Sequence, residues 1–238
     1  MPVAPIEAAR WTGPLPTTAE VAAMIDHSLL RPELTAAEIA AGLAVAVEYR
    51  TVSVCVRPAD VVTAVAALDG SGVLVGTVVG FPHGSETVST KVQETVAAID
   101  SGASEIDMVV NIGRARDGET AYVQDEIAAV VEAAERLPVK VIAENAYLTE
   151  REKIAVYRAT EAAGAAYVKT STGFAPGGAT AVDIALMRRT VSSRVGVKAA
   201  GGVRTLDVLL ELHRLGATRF GATATADILD DLELRCAG

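Results

Sequence analysis

The chain is poor in cysteine, aromatic residues and lysine, and each shortage narrows what it can be. Its two cysteines, Cys55 and Cys236, are far apart and match no disulfide or metal-binding spacing, which is typical of proteins from a reducing compartment. Only 4% of the residues are aromatic although 50% are hydrophobic, so the core must consist of Val, Ala, Leu and Ile. His27, His83 and His213 have no partner at metal-ligand spacing, and the sequence therefore predicts no metal site.

Long apolar runs and blocks of positive charge are also absent. No stretch reaches the ~18 apolar residues of a membrane helix, and the N-terminus does not resemble a signal peptide. The net charge of −9 disfavours nucleic acid and anionic membranes as partners. We therefore expect a cytoplasmic protein that acts on a small molecule, with a local device to hold any anionic substrate. Residues 1–16 read as a flexible, proline-punctuated arm, and 17–238 as one domain.

Short β-branched runs alternate with longer, Ala-rich stretches of helical period. Eight such runs start about every 20 to 35 residues along the chain, at 25–30, 51–56, 73–80, 104–110, 138–144, 165–171, 195–201 and 218–222. Repeated strand–helix units imply parallel strands joined by right-handed crossovers. Eight of them predict a (β/α)8 barrel with a short N-terminal helical arm. An open, doubly wound sheet is the alternative, and the first run could equally be a turn before a helix.

Helix boundaries support this division of the chain. Thr35 with Glu38, and Thr149 with Glu152, have the spacing of capping boxes. Three helices are predicted to end at glycines, namely Gly102, Gly164 and Gly216.

The few lysines lie where lysine is costly. Of five, three fall inside predicted strands: Lys140, Lys169 and Lys198. A buried ammonium loses several kcal/mol of hydration unless it is paired or neutral. The other two, Lys91 and Lys153, are predicted to lie on the solvated surface.

Side chains alternate between the two faces of each strand. If the faces that carry Asp107 and the three strand lysines point into the barrel, these four residues converge there. Only a neutral amine attacks a carbonyl, and both burial and a neighbouring cation lower the pKa of a lysine. Lys198, on the strand after Lys169, would supply that cation, and Asp107 would limit the repulsion and move protons. This group suits imine formation and carbon–carbon bond chemistry. Under the competing interpretation, these residues face outward and pair with helix charges.

Glycine-rich segments follow the last three strands. Their glycines, together with the start of a helix near Thr223, would let backbone N–H groups approach an anion, as in the phosphate sites of such barrels. Asp26 lies at one end of the first strand and is a candidate site residue. Cys55 is either a small buried hydrophobe or a residue of the barrel mouth.

At these residues the chain resembles the deoxyribose-phosphate aldolase family of class I aldolases. The matching segments are IDHSLL, VSVCV, VVGFPHG, EIDMVVNIG, KVIAEN, YVKTSTGF, VGVKAAGGVR and TRFGA, in family order from about residue 25 to 223. The resemblance implies cleavage of 2-deoxy-D-ribose 5-phosphate into glyceraldehyde 3-phosphate and acetaldehyde, without a cofactor. It further implies Lys169 as the Schiff-base lysine, Lys198 as the residue that lowers its pKa, and Asp107 as the proton-relay carboxylate.

The same resemblance implies the remaining site. The substrate pocket would include Asp26, Cys55, Lys140 and Thr170, and the phosphate site Gly173, Gly201, Gly202, Gly221 and Thr223. It also implies a homo-oligomer, either a dimer or a tetramer. One departure is the last turn, where two threonines, Thr223 and Thr225, crowd the anion site and leave the affinity for phosphate open.

Two other functions are compatible with these residues. The chain could be another Schiff-base barrel, such as a transaldolase or a keto-acid aldolase. It could also be a non-catalytic barrel that senses sugar phosphates, although three buried lysines would then be an unexplained cost to folding.

Overall fold

The protein is a closed barrel of eight parallel strands with helices around it. The computed structural model describes residues 8–237. The strands are β1 (Ile25–Leu29), β2 (Ser53–Val56), β3 (Leu74–Val79), β4 (Glu105–Val109), β5 (Val139–Ile142), β6 (Tyr167–Lys169), β7 (Gly196–Ala200) and β8 (Arg219–Ala222). Each strand pairs with the next along the chain, and β8 pairs with β1. The predicted (β/α)8 barrel is therefore confirmed. The first run is a strand paired on both sides, and the open sheet is excluded.

The helices lie between the strands and pack on the outside of the barrel. They are α1 (Thr18–Ala22), α2 (Ala36–Glu48), α3 (Val61–Leu68), α4 (Val88–Asp100), α5 (Ile112–Arg116), α6 (Thr120–Ala133), α7 (Glu150–Ala162), α8 (Ala181–Thr190), α9 (Leu206–Arg214) and α10 (Thr225–Ala237). Short 3₁₀ turns occur at Pro58–Asp60 and Asn145–Tyr147. Among residues 8–237, no helix combines the length and apolar character needed to cross a bilayer.

The predicted helix boundaries are confirmed by their contacts. Thr35 and Thr149 cap α2 and α7, and in each case a glutamate three residues later binds back to the capping backbone. The three predicted glycines, Gly102, Gly164 and Gly216, have φ values of 95°, 80° and 109°, respectively. Glycine adopts this left-handed conformation without a steric cost, so each of these helices stops where its sequence predicts.

The strands separate an aliphatic layer from a polar barrel interior. Val54, Ile106 and Val197 belong to one continuous buried cluster that joins the sheet to the helices. The alternate residues point to the barrel axis, where Lys169 on β6 donates a hydrogen bond to Asp107 on β4. Because side chains alternate along each strand, closing the barrel gathers every second residue in a space that the helices cannot reach.

The described part of the N-terminal arm, residues 8–16, has no helix or strand. The backbone N–H of Trp11 donates to Asp207 on α9 at 2.7 Å, and the Trp11 ring packs against the core. The rest of the predicted arm lies outside the described residues.

One surface prediction is wrong. Lys91 on α4 is fully buried, and its ammonium donates to Glu126 at 2.7 Å and to the carbonyls of Gly84 and Val109. The second oxygen of Glu126 accepts from the backbone N–H of Asn111. This ion pair ties the loops after β3 and β4 to the helices. The polar sequence around Lys91 gives no sign that those loops cover it.

Removing one member of this pair should therefore destabilise the barrel strongly. We expect Lys91→Met to lower the free energy of unfolding by about 3 to 5 kcal/mol, since Glu126 would be left as an unpaired buried charge. Lys91→Met/Glu126→Gln should lose less, because the amide is neutral and still accepts from Asn111. Urea-induced unfolding measures both values. Arg214→Gln, in an exposed ion pair, is the control and should change the stability little. A Lys91 variant no less stable than this control would contradict the assignment.

Candidate active site

Seven charged side chains fill the lower and middle part of the barrel interior. Each comes from a strand and each is at most 7% exposed. We call this set the barrel charge cluster; it comprises Asp26, Glu105, Asp107, Lys140, Lys169, Lys198 and Arg219. The sequence predicts three amines and one carboxylate that converge. The structure brings those four together and adds two further carboxylates and a guanidinium.

The centre of the cluster is one carboxylate oxygen that two lysines share. Oδ2 of Asp107 accepts from Nζ of Lys169 at 2.5 Å and from Nζ of Lys198 at 2.6 Å. Lys169 and Lys198 are directly opposite each other on β6 and β7, so the sheet register itself holds the two amines side by side. Lys198 also lies 2.5 Å from Oδ2 of Asp26.

A second layer lies below these residues, towards the N-terminal ends of the strands. Lys140 donates to Glu105 at 2.7 Å and to the other oxygen of Asp107 at 3.0 Å. Arg219 donates to Glu105 at 2.7 Å and to Asp26 at 2.6 Å. Every charged group of the cluster therefore contacts at least one of opposite sign.

The environments of the lysines differ in a way that singles out Lys169. Burial lowers the pKa of Lys169; Asp107 opposes this change, and the neighbouring Lys198 adds to it. Burial also acts to lower the pKa of Lys198, but Asp107 and Asp26 outweigh it and raise the pKa. The pKa of Lys140 is raised for the same reason. Of the three strand lysines, Lys169 is thus the one whose surroundings favour the neutral amine.

Two carboxylates of the cluster, Asp107 and Asp26, remain ionised. Burial acts to raise the pKa of Asp107, but the three lysines around it hold that pKa well below its usual range. Asp26 behaves in the same way, because Lys198, Lys140 and Arg219 lower its pKa against the effect of burial. A buried amine inclined to be neutral therefore lies beside an ionised carboxylate and a cation, an arrangement suited to forming and protonating an imine.

A cavity opens above the cluster at the C-terminal ends of the strands. Among the predicted site residues, those that line it are Asp26, Cys55, Lys169, Gly173, Lys198, Gly201, Gly202, Gly221 and Thr223. Asp107 and Lys140 lie beneath its floor, within the charge cluster. Thr170 is fully buried, and its hydroxyl bonds to the backbone of Ala200, joining β6 to β7.

The predicted phosphate residues form the upper rim of this cavity. Gly173, Gly201 and Gly202 all have φ between 82° and 88°, a conformation that disfavours side chains. A Cβ atom on Gly201 would also lie 3.0 Å from the Cα of Gly178. These turns bring backbone close to the cavity, as an anion site requires. At Gly221, a Cβ atom would lie 3.1 Å from the Cβ of Ala200, which is a tight contact.

The two threonines of the last turn have separate positions. Thr223 lines the cavity, whereas Thr225 is fully buried at the start of α10. The Thr225 hydroxyl bonds to Nδ1 of His27 at 2.8 Å, and burial lowers the pKa of His27 to about 4. His27 therefore has the structural hydrogen bond that the sequence favours, and Thr225 does not crowd the rim.

Cys55 belongs to an apolar wall of the cavity. It packs with Leu30 and Val78, beside the rings of Phe81 and Phe174, which meet edge to face at 5.3 Å between centroids. Burial raises the pKa of the Cys55 thiol to about 11, so the thiol is neutral near pH 7. It is a small buried side chain beside the reacting groups rather than a nucleophile.

Sequence reasoning missed several residues around the cavity. Arg31 lines it, and its guanidinium lies 5.8 Å above the Phe174 ring. Glu144 is buried with φ of 54°, and its carboxylate accepts from the N–H and hydroxyl of Thr172, another lining residue. Arg31 and Glu144 each follow a strand, and this position is the only sign of a site residue that their sequence carries. Their partners come from other loops, so only the closed barrel reveals the contacts. His83 lies in a neighbouring depression with Glu144.

The chain matches the model of the DeoC/LacD family of aldolases over residues 20–229. It is 48% identical over 215 residues to the deoxyribose-phosphate aldolase of Macrococcus caseolyticus (strain JCSC5402), covering 90% of this chain and 98% of that protein. It is 51% identical over 209 residues to deoxyribose-phosphate aldolase 1 of Staphylococcus aureus (strain MRSA252), covering 88% and 95%. The tetrameric deoxyribose phosphate aldolase of Aeropyrum pernix superposes with a TM-score of 0.85 at 25% identity, covering 91% of this chain and 92% of that one.

The difference in pKa between the Lys169 and Lys198 amines can be tested without any substrate. Reductive methylation with formaldehyde and cyanoborohydride at pH 7 should modify Lys169 faster than Lys198, because only the neutral amine reacts. Lys198 lines the same cavity and is thus the internal control for access. Mass spectrometry of the digested protein at several reaction times gives the two rates. Equal rates would show that the shared carboxylate does not distinguish the two amines.

Proposed function

The chain belongs to the DeoC/LacD family of aldolases and is a lyase, and on that premise we propose that it reversibly cleaves 2-deoxy-D-ribose 5-phosphate into D-glyceraldehyde 3-phosphate and acetaldehyde. The relatives at about half identity carry the name of this activity over nearly their full length. The observation that supports it most directly is the shared Asp107 oxygen, which joins Lys169, whose pKa is lowered, to Lys198, whose pKa is raised, at the floor of the cavity.

In the synthetic direction, the neutral amine of Lys169 attacks the carbonyl carbon of acetaldehyde. The carbinolamine loses water and becomes a protonated imine. Lys198 is suited to deliver the proton that leaves with the hydroxyl, directly or through a water molecule, and Asp107, which contacts both lysines, is suited to return a proton to Lys198 after taking one up. An apolar wall beside the site would keep the imine from premature hydrolysis.

The imine then acts as an electron sink. A proton leaves its methyl carbon, and the electron pair moves to nitrogen, giving an enamine. The enamine carbon attacks the aldehyde carbon of glyceraldehyde 3-phosphate, whose oxygen takes up a proton. Addition of water to the new imine frees the product and restores the Lys169 amine. The same carboxylate and cation can accept and return these protons, so no additional acid or base is required.

The acceptor's phosphate would bind at the rim of the cavity. The net charge of −9 repels an anion, so local groups must hold it. The glycine turns at Gly173, Gly201 and Gly202 offer backbone N–H groups, and Thr223 offers a hydroxyl. Arg31 adds a side-chain cation at the same cavity.

We further propose that the protein is a cytoplasmic homo-oligomer. The tetrameric Aeropyrum pernix relative supports assembly, and the acidic chain with two free cysteines suits a reducing compartment. Light scattering on the purified protein would distinguish a dimer from a tetramer.

Trapping the imine tests the proposed reaction. Borohydride reduction in the presence of acetaldehyde should add 28 Da, or about one ethyl group per chain, to Lys169, because only a Schiff base can be reduced in this way. Peptide mapping by mass spectrometry identifies the residue. Lys169→Leu should abolish the adduct, and Lys153→Leu, at a half-buried surface pair, should retain it. An adduct that persists in Lys169→Leu would refute the assignment. If pyruvate or a ketose phosphate forms the adduct and acetaldehyde does not, the protein is another Schiff-base aldolase. If none of these compounds forms an adduct, the result favours a non-catalytic sugar-phosphate sensor.

Arg31 should affect the phosphorylated substrate selectively. We expect Arg31→Gln to raise KM for 2-deoxyribose 5-phosphate about tenfold, since a charge-assisted contact to phosphate would be lost. Steady-state kinetics with unphosphorylated 2-deoxyribose is the control, and its kcat/KM should stay near the wild-type value. An equal loss with both substrates would indicate a general effect on the cavity and remove the phosphate role.

A further inference from the structure

An ion pair lies beneath the reacting groups and does not reach the cavity. Glu105 and Arg219 are the first residues of β4 and β8, two positions before Asp107 and Gly221, so they occupy the layer below. Nη2 of Arg219 donates to both oxygens of Glu105 at 2.7 Å. Neither side chain lines the cavity, and the proposed reaction does not use them directly.

This pair is a costly way to fill the bottom of a barrel. Side-chain layers inside such barrels consist mainly of branched apolar residues. Removing a guanidinium and a carboxylate from water costs several kcal/mol for each ion, and a well-packed apolar pair is often equally stable or more stable. The packing of the fold alone therefore does not account for the pair.

The contacts of the pair lead to the reacting amine by two routes. On one side, Glu105 accepts from Lys140, which donates to Asp107, which accepts from Lys169. On the other side, Arg219 donates to Asp26, which lies 2.5 Å from Lys198. A change of charge in the lower layer is thus transmitted through contacts no longer than 3.0 Å.

We propose that the Glu105–Arg219 pair is a positioning element that sets the electrostatic potential at Lys169 and thereby keeps this lysine, rather than Lys140 or Lys198, as the uncharged one. This inference rests on the proposed Schiff-base function. The pair carries no net charge itself, so the other five members of the barrel charge cluster are three lysines against two carboxylates. That excess of one positive charge is relieved when one lysine is neutral, and Lys169 is the one with a single carboxylate contact.

The other groups that face these residues do not supply the same control. Cys55 faces Lys169 with a neutral thiol, since burial raises its pKa to about 11. Glu144 approaches Lys169 from the loop after β5, but its carboxylate is engaged by Thr172, and burial raises its pKa. Around the lower layer, Ser53 donates to Asp26, and the Tyr167 ring lies 5.9 Å from the Arg219 guanidinium. Ser53 is an uncharged side chain, and Tyr167 contacts Arg219 through its ring.

Two substitutions of the pair should therefore move the acid limb of activity in opposite directions. Arg219→Gln removes a cation, favours protonated Lys169, and should shift the acid limb of kcat/KM to higher pH by about half a unit or more. Glu105→Gln removes an anion and should shift it to lower pH by a similar amount. Half a unit corresponds to about a threefold change in rate below the limb. In the double variant, the two changes should largely cancel.

The experiment measures this limb in two ways: cleavage kinetics across pH, and the pH dependence of borohydride trapping with acetaldehyde at Lys169. Arg219→Lys keeps the charge and should remain near the wild-type limb. Glu126→Gln is the matched control, because Glu126 is an equally buried partner of a lysine but lies outside the barrel interior. It should lose stability with an unchanged limb.

A purely structural role would give a different result. If both single variants shift the limb in the same direction, or neither shifts it while thermal unfolding shows a loss of stability, the inference is overturned. Either single variant decides the question alone, since each has its own expected direction. A wild-type protein that traps no adduct would refute the proposed function itself. An adduct at Lys169 with unmoved limbs would refute only the role of the pair.

Discussion

The contact on which the site depends is the one between Asp107 Oδ2 and two lysine amines. A single oxygen cannot neutralise both, so the lysine with the second carboxylate contact, Lys198, keeps its proton more firmly. The result is an asymmetry between two chemically identical groups that face each other on neighbouring strands. Parallel register makes this possible, because it places the two amines side by side on neighbouring strands. A nucleophile, a cation and a base thus arise from three side chains.

The aliphatic shell makes that asymmetry effective. Between strands and helices the protein is packed with Val, Ala, Leu and Ile, and water is excluded from the outside of the barrel wall. In such surroundings charges interact over longer distances than in water, and each unpaired ion is costly. The interior charges must therefore form a connected network of ion pairs. The cost of burying them and their mutual interactions shift their pKa values. Stability is given up locally to obtain a reactive amine.

The charged site residues that the sequence predicts are those whose strand position alone determines their direction. Alternation placed Lys140, Lys169, Lys198 and Asp107 on one interior face, and their convergence follows once the barrel closes. The sequence does not indicate a role for Arg219, because its partners, Glu105 and Asp26, belong to strands far away in the chain. Lys91 was assigned to the surface because helix periodicity does not show which loops fold over a helix. The sequence also does not show that the Thr170 hydroxyl donates to the backbone carbonyl of Ala200 on the neighbouring strand β7.

The order of strands and helices, their caps, the aliphatic core and the burial of three lysines were determined by the sequence itself, because each depends on local periodicity and on the cost of desolvating charge. Tertiary structure decided which charges touch. Closing the sheet brought Glu105 on β4 within hydrogen-bonding distance of Arg219 on β8, although more than a hundred residues separate them along the chain. Proton affinity depends on distances of a few ångströms between such groups, and these distances exist only in the closed barrel.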